Sequence, residues 1–102
     1  MDGVGEKFKA SEDMLLRKIA GEYILIPVGP LAIKVHGMIT LSESGQFLWE
    51  KLQNECDLQE LTDVLLGEYE IDRRTAEEDV KEFLDKLDQV GLLVRNGGEQ
   101  KE

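Results

Sequence analysis

Between residues 14 and 41 the apolar positions fall in short runs. Leu15, Leu16 and Ile19 form one; Tyr23, Ile24, Leu25 and Ile26 another; Met38, Ile39 and Leu41 a later one. Gly21, Pro27, Gly29, Pro30 and Gly37 punctuate them. Runs of this length between turn residues predict a β-meander, with strands near 15–19, 23–27, 32–35 and 38–41 and the sharpest turn at Gly29-Pro30. After Leu41 the period lengthens. Ser42 is a good N-cap, because its hydroxyl can accept from a backbone amide left unpaired in the first turn. Gly45, Leu48, Trp49 and Leu52 then share one helical face. Asp57, with Glu60 three positions on, predicts a capping box for a second helix, whose stripe is Leu58, Leu61, Val64, Leu65 and Tyr69. Asp72 caps a third, carrying Ala76, Val80, Phe83, Leu84, Leu87 and Val90, and Gly91 ends it as a left-handed C-cap.

A small sheet followed by three short helices is an α+β arrangement, and it describes a winged helix-turn-helix with a three-stranded antiparallel sheet. Residues 1–13 are polar and Gly-rich and predict a flexible segment; 14–94 form the domain; 95–102, "RNGGEQKE", predict a flexible tail. That architecture is best known for binding DNA, but a fold does not fix a function. Composition changes the picture here. The 102 residues hold 22 acidic and 12 basic side chains, a net charge of −10. Nucleic-acid affinity rests on clustered Lys and Arg that neutralise phosphates, and this chain has no such cluster. No run is long enough to span a membrane, and "MDGVGEKFKASED" lacks the apolar core of a signal peptide. The single cysteine, Cys56, excludes an intramolecular disulfide, which fits a reducing cytoplasm.

The residues offer little catalytic chemistry. His36 stands without a second His or a nearby Cys, so no metal site is expected, and it reads as a loop residue. Cys56 reads as a half-buried or surface thiol, and Trp49 as core. Ser42 and Ser44 have no accompanying base. Glu77, Glu78 and Asp79 sit where negative charge favours a helix start. No cofactor and no enzymatic activity are expected. From the residues alone, 38–41 reads equally as an inner strand or an edge. The stripe of the third helix is broad, with Phe83 and Val90 on one margin beside Asp79 and Lys86, and Leu84 and Gly91 on the other. The Phe83 margin is taken as a groove wall, since a small domain rarely needs so wide a buried face. An acidic winged-helix transcription regulator acting through protein contacts is the alternative reading, and a scaffolding or dimerisation subunit a third.

Three stretches together resemble the PqqD family, the pyrroloquinoline quinone biosynthesis protein D relatives also called RiPP recognition elements. They are "RKIAGEYILIPVG", "GMITLSESGQFLWEKL" and "DLQELTDVLLGEYEIDRRTAEEDVKEFLDKLDQVGLL", and the resemblance covers residues 14–94. The step 41–45 from strand to helix, Trp49, Tyr69 and the closing Asp79-Val80, Phe83-Leu84 and Gly91-Leu92-Leu93 carry it. It implies a non-catalytic peptide chaperone, which holds the leader of a ribosomally made precursor peptide for a modifying enzyme, often a radical SAM enzyme. It also implies that the leader joins the third strand as an extra strand, with side chains resting on the third helix. Here that places peptide contacts at Gly37, Met38, Ile39, Thr40 and Leu41, and at Asp79, Val80, Phe83, Leu84, Lys86, Leu87 and Val90. The connection "PVGPLAIKVHG" is longer than the family pattern, so the product, quinone cofactor or another peptide, stays open. A short strand left unpaired on one side suits β-augmentation, and Gly37 would let a partner backbone approach. The same edge permits a homodimer by strand exchange.

Overall fold

In a computed structural model, which describes residues 6–30, 32 and 39–97, the meander and the three helices form where the apolar pattern places them. Strand β2 (Met14–Ile19) pairs antiparallel with β3 (Glu22–Pro27), from Met14↔Pro27 to Ile19↔Glu22. Only Ala20 and Gly21 connect them, both left-handed at φ 54° and 83°. That is a two-residue hairpin turn whose twist matches its strands. Strand β4 (Ile39–Leu41) pairs with the other side of β3 through Tyr23↔Leu41, Ile24↔Thr40 and Leu25↔Ile39. Alternation sends Met14, Leu25 and Leu41 into the core and leaves Leu15 and Ile19 exposed on the outer face.

Helix α1 (Glu43–Lys51) starts at once after β4, and the Ser42 Oγ accepts from the Gly45 N–H at 3.1 Å. Helix α2 (Leu58–Glu68) opens on the expected capping box. Asp57 accepts from the Glu60 N–H, and the Glu60 carboxylate accepts from the Asp57 N–H, both at 2.8 Å. Helix α3 (Arg73–Gln89) is capped by Asp72, which accepts from the Thr75 N–H at 2.9 Å. It ends as Gly91 turns left-handed at φ 78°: the Leu92 N–H donates to the Leu87 carbonyl at 2.9 Å and the Gly91 N–H to that of Asp88 at 3.1 Å. These two bonds satisfy carbonyls that the helix end would otherwise leave orphaned. Leu25, Leu48, Trp49, Leu61, Val80 and Leu87 fill the space between helices and sheet. The buried Thr62 keeps its hydroxyl satisfied on the Leu58 carbonyl at 2.8 Å.

The structure departs from the sequence reading at both flanks. Residues 6–10 and 95–97, expected to be flexible, belong to a second antiparallel sheet. It consists of β1 (Glu6–Ala10), β5 (Cys56–Asp57) and β6 (Leu93–Gly97) in the order β5-β1-β6. Phe8 and Ala10 are buried, and the Ala10 N–H donates to the Leu52 carbonyl at 2.8 Å. Arg95 is no tail residue. Its guanidinium lies 5.3 Å from the centroid of the Phe8 ring and reaches Glu6 at 3.1 Å and Asp88 at 3.3 Å. Only two side chains of β1 turn inward, so its composition looks like that of a solvated segment. The winged-helix-like α+β fold stands with this sheet added to it. Cys56 needs correction too: it is 1% exposed, and β5 places it opposite Phe8. Of the strand expected at 32–35 only Ala32 is described, and it closes a turn, its N–H on the Gly29 carbonyl at 3.0 Å. His36, Gly37 and Met38 lie outside the described residues.

Candidate functional site

Strand β4 occupies the end of the order β2-β3-β4, so among the described residues it is an edge. Its outward row of backbone donors and acceptors has no neighbouring described strand. Ile39 and Leu41 turn toward the core, while Thr40 points to solvent on the other face. The helix starts with only Ser42 between, so the edge cannot pivot relative to the core.

At the foot of this edge three elements meet. A Cβ placed on Gly45 would stand 3.2 Å from Phe83 Cε1, 3.4 Å from Ser42 Oγ and 3.5 Å from Leu41 Cβ. Glycine thus lets the α3 aromatic close against the first turn of α1 and the end of β4. Beside the contact opens a pocket of about 210 Å³. Helix α3 contributes Asp79, Glu82, Phe83 and Lys86 to its wall. The strand–helix joint contributes Ser42, Ser44, Gly45 and Leu48. The Ser42 and Ser44 hydroxyls are 3.1 Å apart, with Ser42 already engaged as a cap. The acceptors and donors here can hold a polar or charged group beside the half-buried ring of Phe83, with Leu48 buried beneath.

The predicted site residues divide into groups. Asp79, Phe83 and Lys86 line the pocket, and Ile39, Thr40 and Leu41 form the edge above it. Val80 and Leu87 are fully buried and serve the core. Leu84 is buried and turns to the opposite margin of α3, where it lines a separate pocket of about 290 Å³ with Phe8, Leu58 and Arg95 among others. Val90 is 40% exposed and lines neither. Ser44, Gly45, Leu48 and Glu82 are pocket residues that the sequence reading did not select. One signal was available: a glycine in the first turn of a helix costs conformational entropy and so points to a close approach.

The charges differ in how they are compensated. Elsewhere on α3, Arg74 pairs with Glu78 at 3.6 Å and Lys81 with Glu77 at 3.9 Å, and Arg73 reaches Asp63 at 2.7 Å. Among the described residues no ion pair involves Asp79, Glu82 or Lys86. The Cys56 thiol is remote from this site, and burial, helped by Glu60, pushes its pKa up to about 11. A thiol so placed is a poor nucleophile near neutral pH. Among the described residues no group of His, Cys, Asp and Glu could hold a metal ion, and no helix is long and apolar enough to cross a membrane.

A family model described as "Coenzyme PQQ synthesis protein D (PqqD)" matches residues 11–93. Among solved structures, "TbiB1 in Complex with the TbiA(beta) Leader Peptide" is similar at 26% identity and TM-score 0.67, covering 90% of this chain and 99% of that one. "Lasso peptide synthetase B1 complexed with the leader peptide" is similar at 16% identity and TM-score 0.67, over 85% of this chain and 96% of that one; at that identity the likeness is one of fold. No curated protein matches the chain.

Proposed function

The chain belongs to the PqqD family, and we propose from that premise that it binds the leader of a ribosomally synthesised precursor peptide. The leader adds as a strand to β4, and the chain holds it for a separate modifying enzyme, a radical SAM enzyme or another peptide-modifying one. The observation that carries this reading is the position of β4: an edge strand welded to α1, with an open pocket at its foot. Backbone hydrogen bonds along such an edge give affinity that tolerates many sequences, while a side-chain pocket selects the register. Among the described residues the edge spans three residues, and so short an edge limits pairing with unwanted strands. Likeness to a structure of TbiB1 in complex with a leader peptide supports a leader as the ligand. The chain itself supplies no chemistry in this scheme. Ser42 is spent on a cap and Cys56 is buried, so both are structural.

The test is a titration of isotope-labelled protein with the synthetic leader half of a short precursor peptide, chosen by a search of the genes that neighbour this one. The largest amide shifts should fall on residues 39–41 and around Asp79, Phe83 and Lys86. Shifts concentrated instead on β2, β6 or the pocket at Leu84 would place the site elsewhere and overturn the assignment.

A further inference from the structure

We propose that this edge reads its peptide by charge as well as by shape. A basic side chain, Lys or Arg, docks between Asp79 and Glu82, with its aliphatic stem on Phe83. The inference rests on the peptide-binding reading above and adds the chemistry of the ligand. Three observations carry it. First, the pocket combines the apolar Phe83 ring with a carboxylate rim, and a long basic side chain matches that pairing, its stem on apolar surface and its head among acceptors. The Phe83 ring adds a face that attracts a cation. Second, Glu77, Glu78 and Asp63 each have a cation of this chain beside them, whereas Asp79 and Glu82 are in no ion pair among the described residues. Third, the chain carries a net charge of −10, which favours encounter with basic segments.

Lys86 adds polarity to the groove. From position 79 to 86 the helix rises about 10 Å, which an extended chain covers in about three residues. A peptide with its basic residue at Asp79 and Glu82 presents a neutral or acidic residue toward Lys86. Shifting or reversing it would bring like charges together, which costs more than it gains. Charge therefore fixes register on an edge whose backbone bonds alone would permit several.

The test uses a display library of random twelve-residue peptides, selected separately on the parent protein and on the variant Asp79→Lys/Glu82→Lys. Both substitutions are at exposed positions, and the amide spectrum verifies folding. Parent-selected peptides should carry Lys or Arg at a fixed offset from an apolar residue. Variant-selected peptides should carry Asp or Glu there, and each set should bind its own protein at least about tenfold more tightly, the scale of a close charge pair. Winners that shift the amides of 39–41 but show no charge preference overturn this inference and leave the peptide-binding reading intact. Winners that leave 39–41 unperturbed, or selections that yield none, overturn both.

Discussion

Phe83 and Gly45 approach closely: a Cβ at position 45 would stand 3.2 Å from the Phe83 ring, so the ring would have to give by a few tenths of an ångström to admit it. Alanine ordinarily favours a helix over glycine by about 1 kcal/mol, so Gly45→Ala gains propensity and loses this contact. Phe83 is only half-buried and can yield by swinging toward the pocket. Gly45→Ala should thus change stability by less than about 1 kcal/mol while weakening peptide binding markedly. Chemical denaturation and peptide titration check the two arms. A loss of stability well beyond that range would mean that the ring is fixed and the pocket does not adjust.

Proline substitutions probe the edge itself. Successive amides of a strand point to opposite sides, so of Ile39 and Thr40 one faces β3 and the other the open side. Proline is tolerated where the lost amide faces outward and disrupts pairing where it faces a neighbouring strand. One of Ile39→Pro and Thr40→Pro should therefore fold and fail to bind peptide, and the other should lose stability. Two folded variants that both bind like the parent would rule out strand addition at β4.

The hairpin turn offers a gain in stability. Ala20 is left-handed at φ 54°, a conformation that costs an L-residue with a Cβ about 1–2 kcal/mol. Asparagine tolerates it and favours this turn type. Ala20→Asn should stabilise the fold by about 1 kcal/mol, raising Tm by about 4–8 °C in a domain of this size. Gly21→Ala, at φ 83°, should do the opposite. Thermal melts of the two variants decide the matter, and a lower Tm for Ala20→Asn would contradict the turn geometry.

Cys56 makes the fold sensitive to alkaline pH. Its thiol is held neutral up to about 11, against an ordinary value of 9.0. Below 9 both folded and unfolded chains keep the proton, and the stabilising contribution is complete. Between 9 and 11 only the unfolded chain releases it, so stability falls as pH rises through that window. Cys56→Ala should flatten this decline, measured by urea titrations across the range. In the parent, alkylation by iodoacetamide at pH 8 should be slow until denaturant exposes the sulfur. Rapid labelling of the native protein would show that the site opens readily.

The elements that could be read from the sequence are those whose instructions are local. Ser42, Asp57 and Asp72 each cap the helix they were expected to cap, because a cap needs only a side chain and an amide two or three positions on. The α3 stripe was equally plain, and Phe83 indeed lines a pocket while Val80 and Leu87 do not. The second sheet was not legible, since β1 has only Phe8 and Ala10 facing inward and its partners are distant in sequence. Cys56 was misjudged for the same reason: its cover comes from β1, not from its own helix–helix connection. Helical periodicity had set Leu84 on the margin opposite Phe83, but the pocket it lines there with Phe8 and Arg95 depended on that sheet as well.

The pairing of β1 with β6 has a bearing on how the domain forms. The ion pair between Glu6 and Arg95 joins positions 89 apart in sequence, while the β2–β3 hairpin closes over two residues. Closing so long a loop costs about 4 kcal/mol of chain entropy before any contact repays it. The meander and the capped helices can therefore organise first, by short-range contacts, and the β1–β6 ribbon docks onto them as a late step. Until it does, the Leu84 side of α3 and the Cys56 sulfur remain uncovered, whereas the β4 edge and the Gly45–Phe83 contact are already assembled from neighbouring elements. The part of the molecule offered to a peptide would thus mature early, and the part that seals its back would mature last.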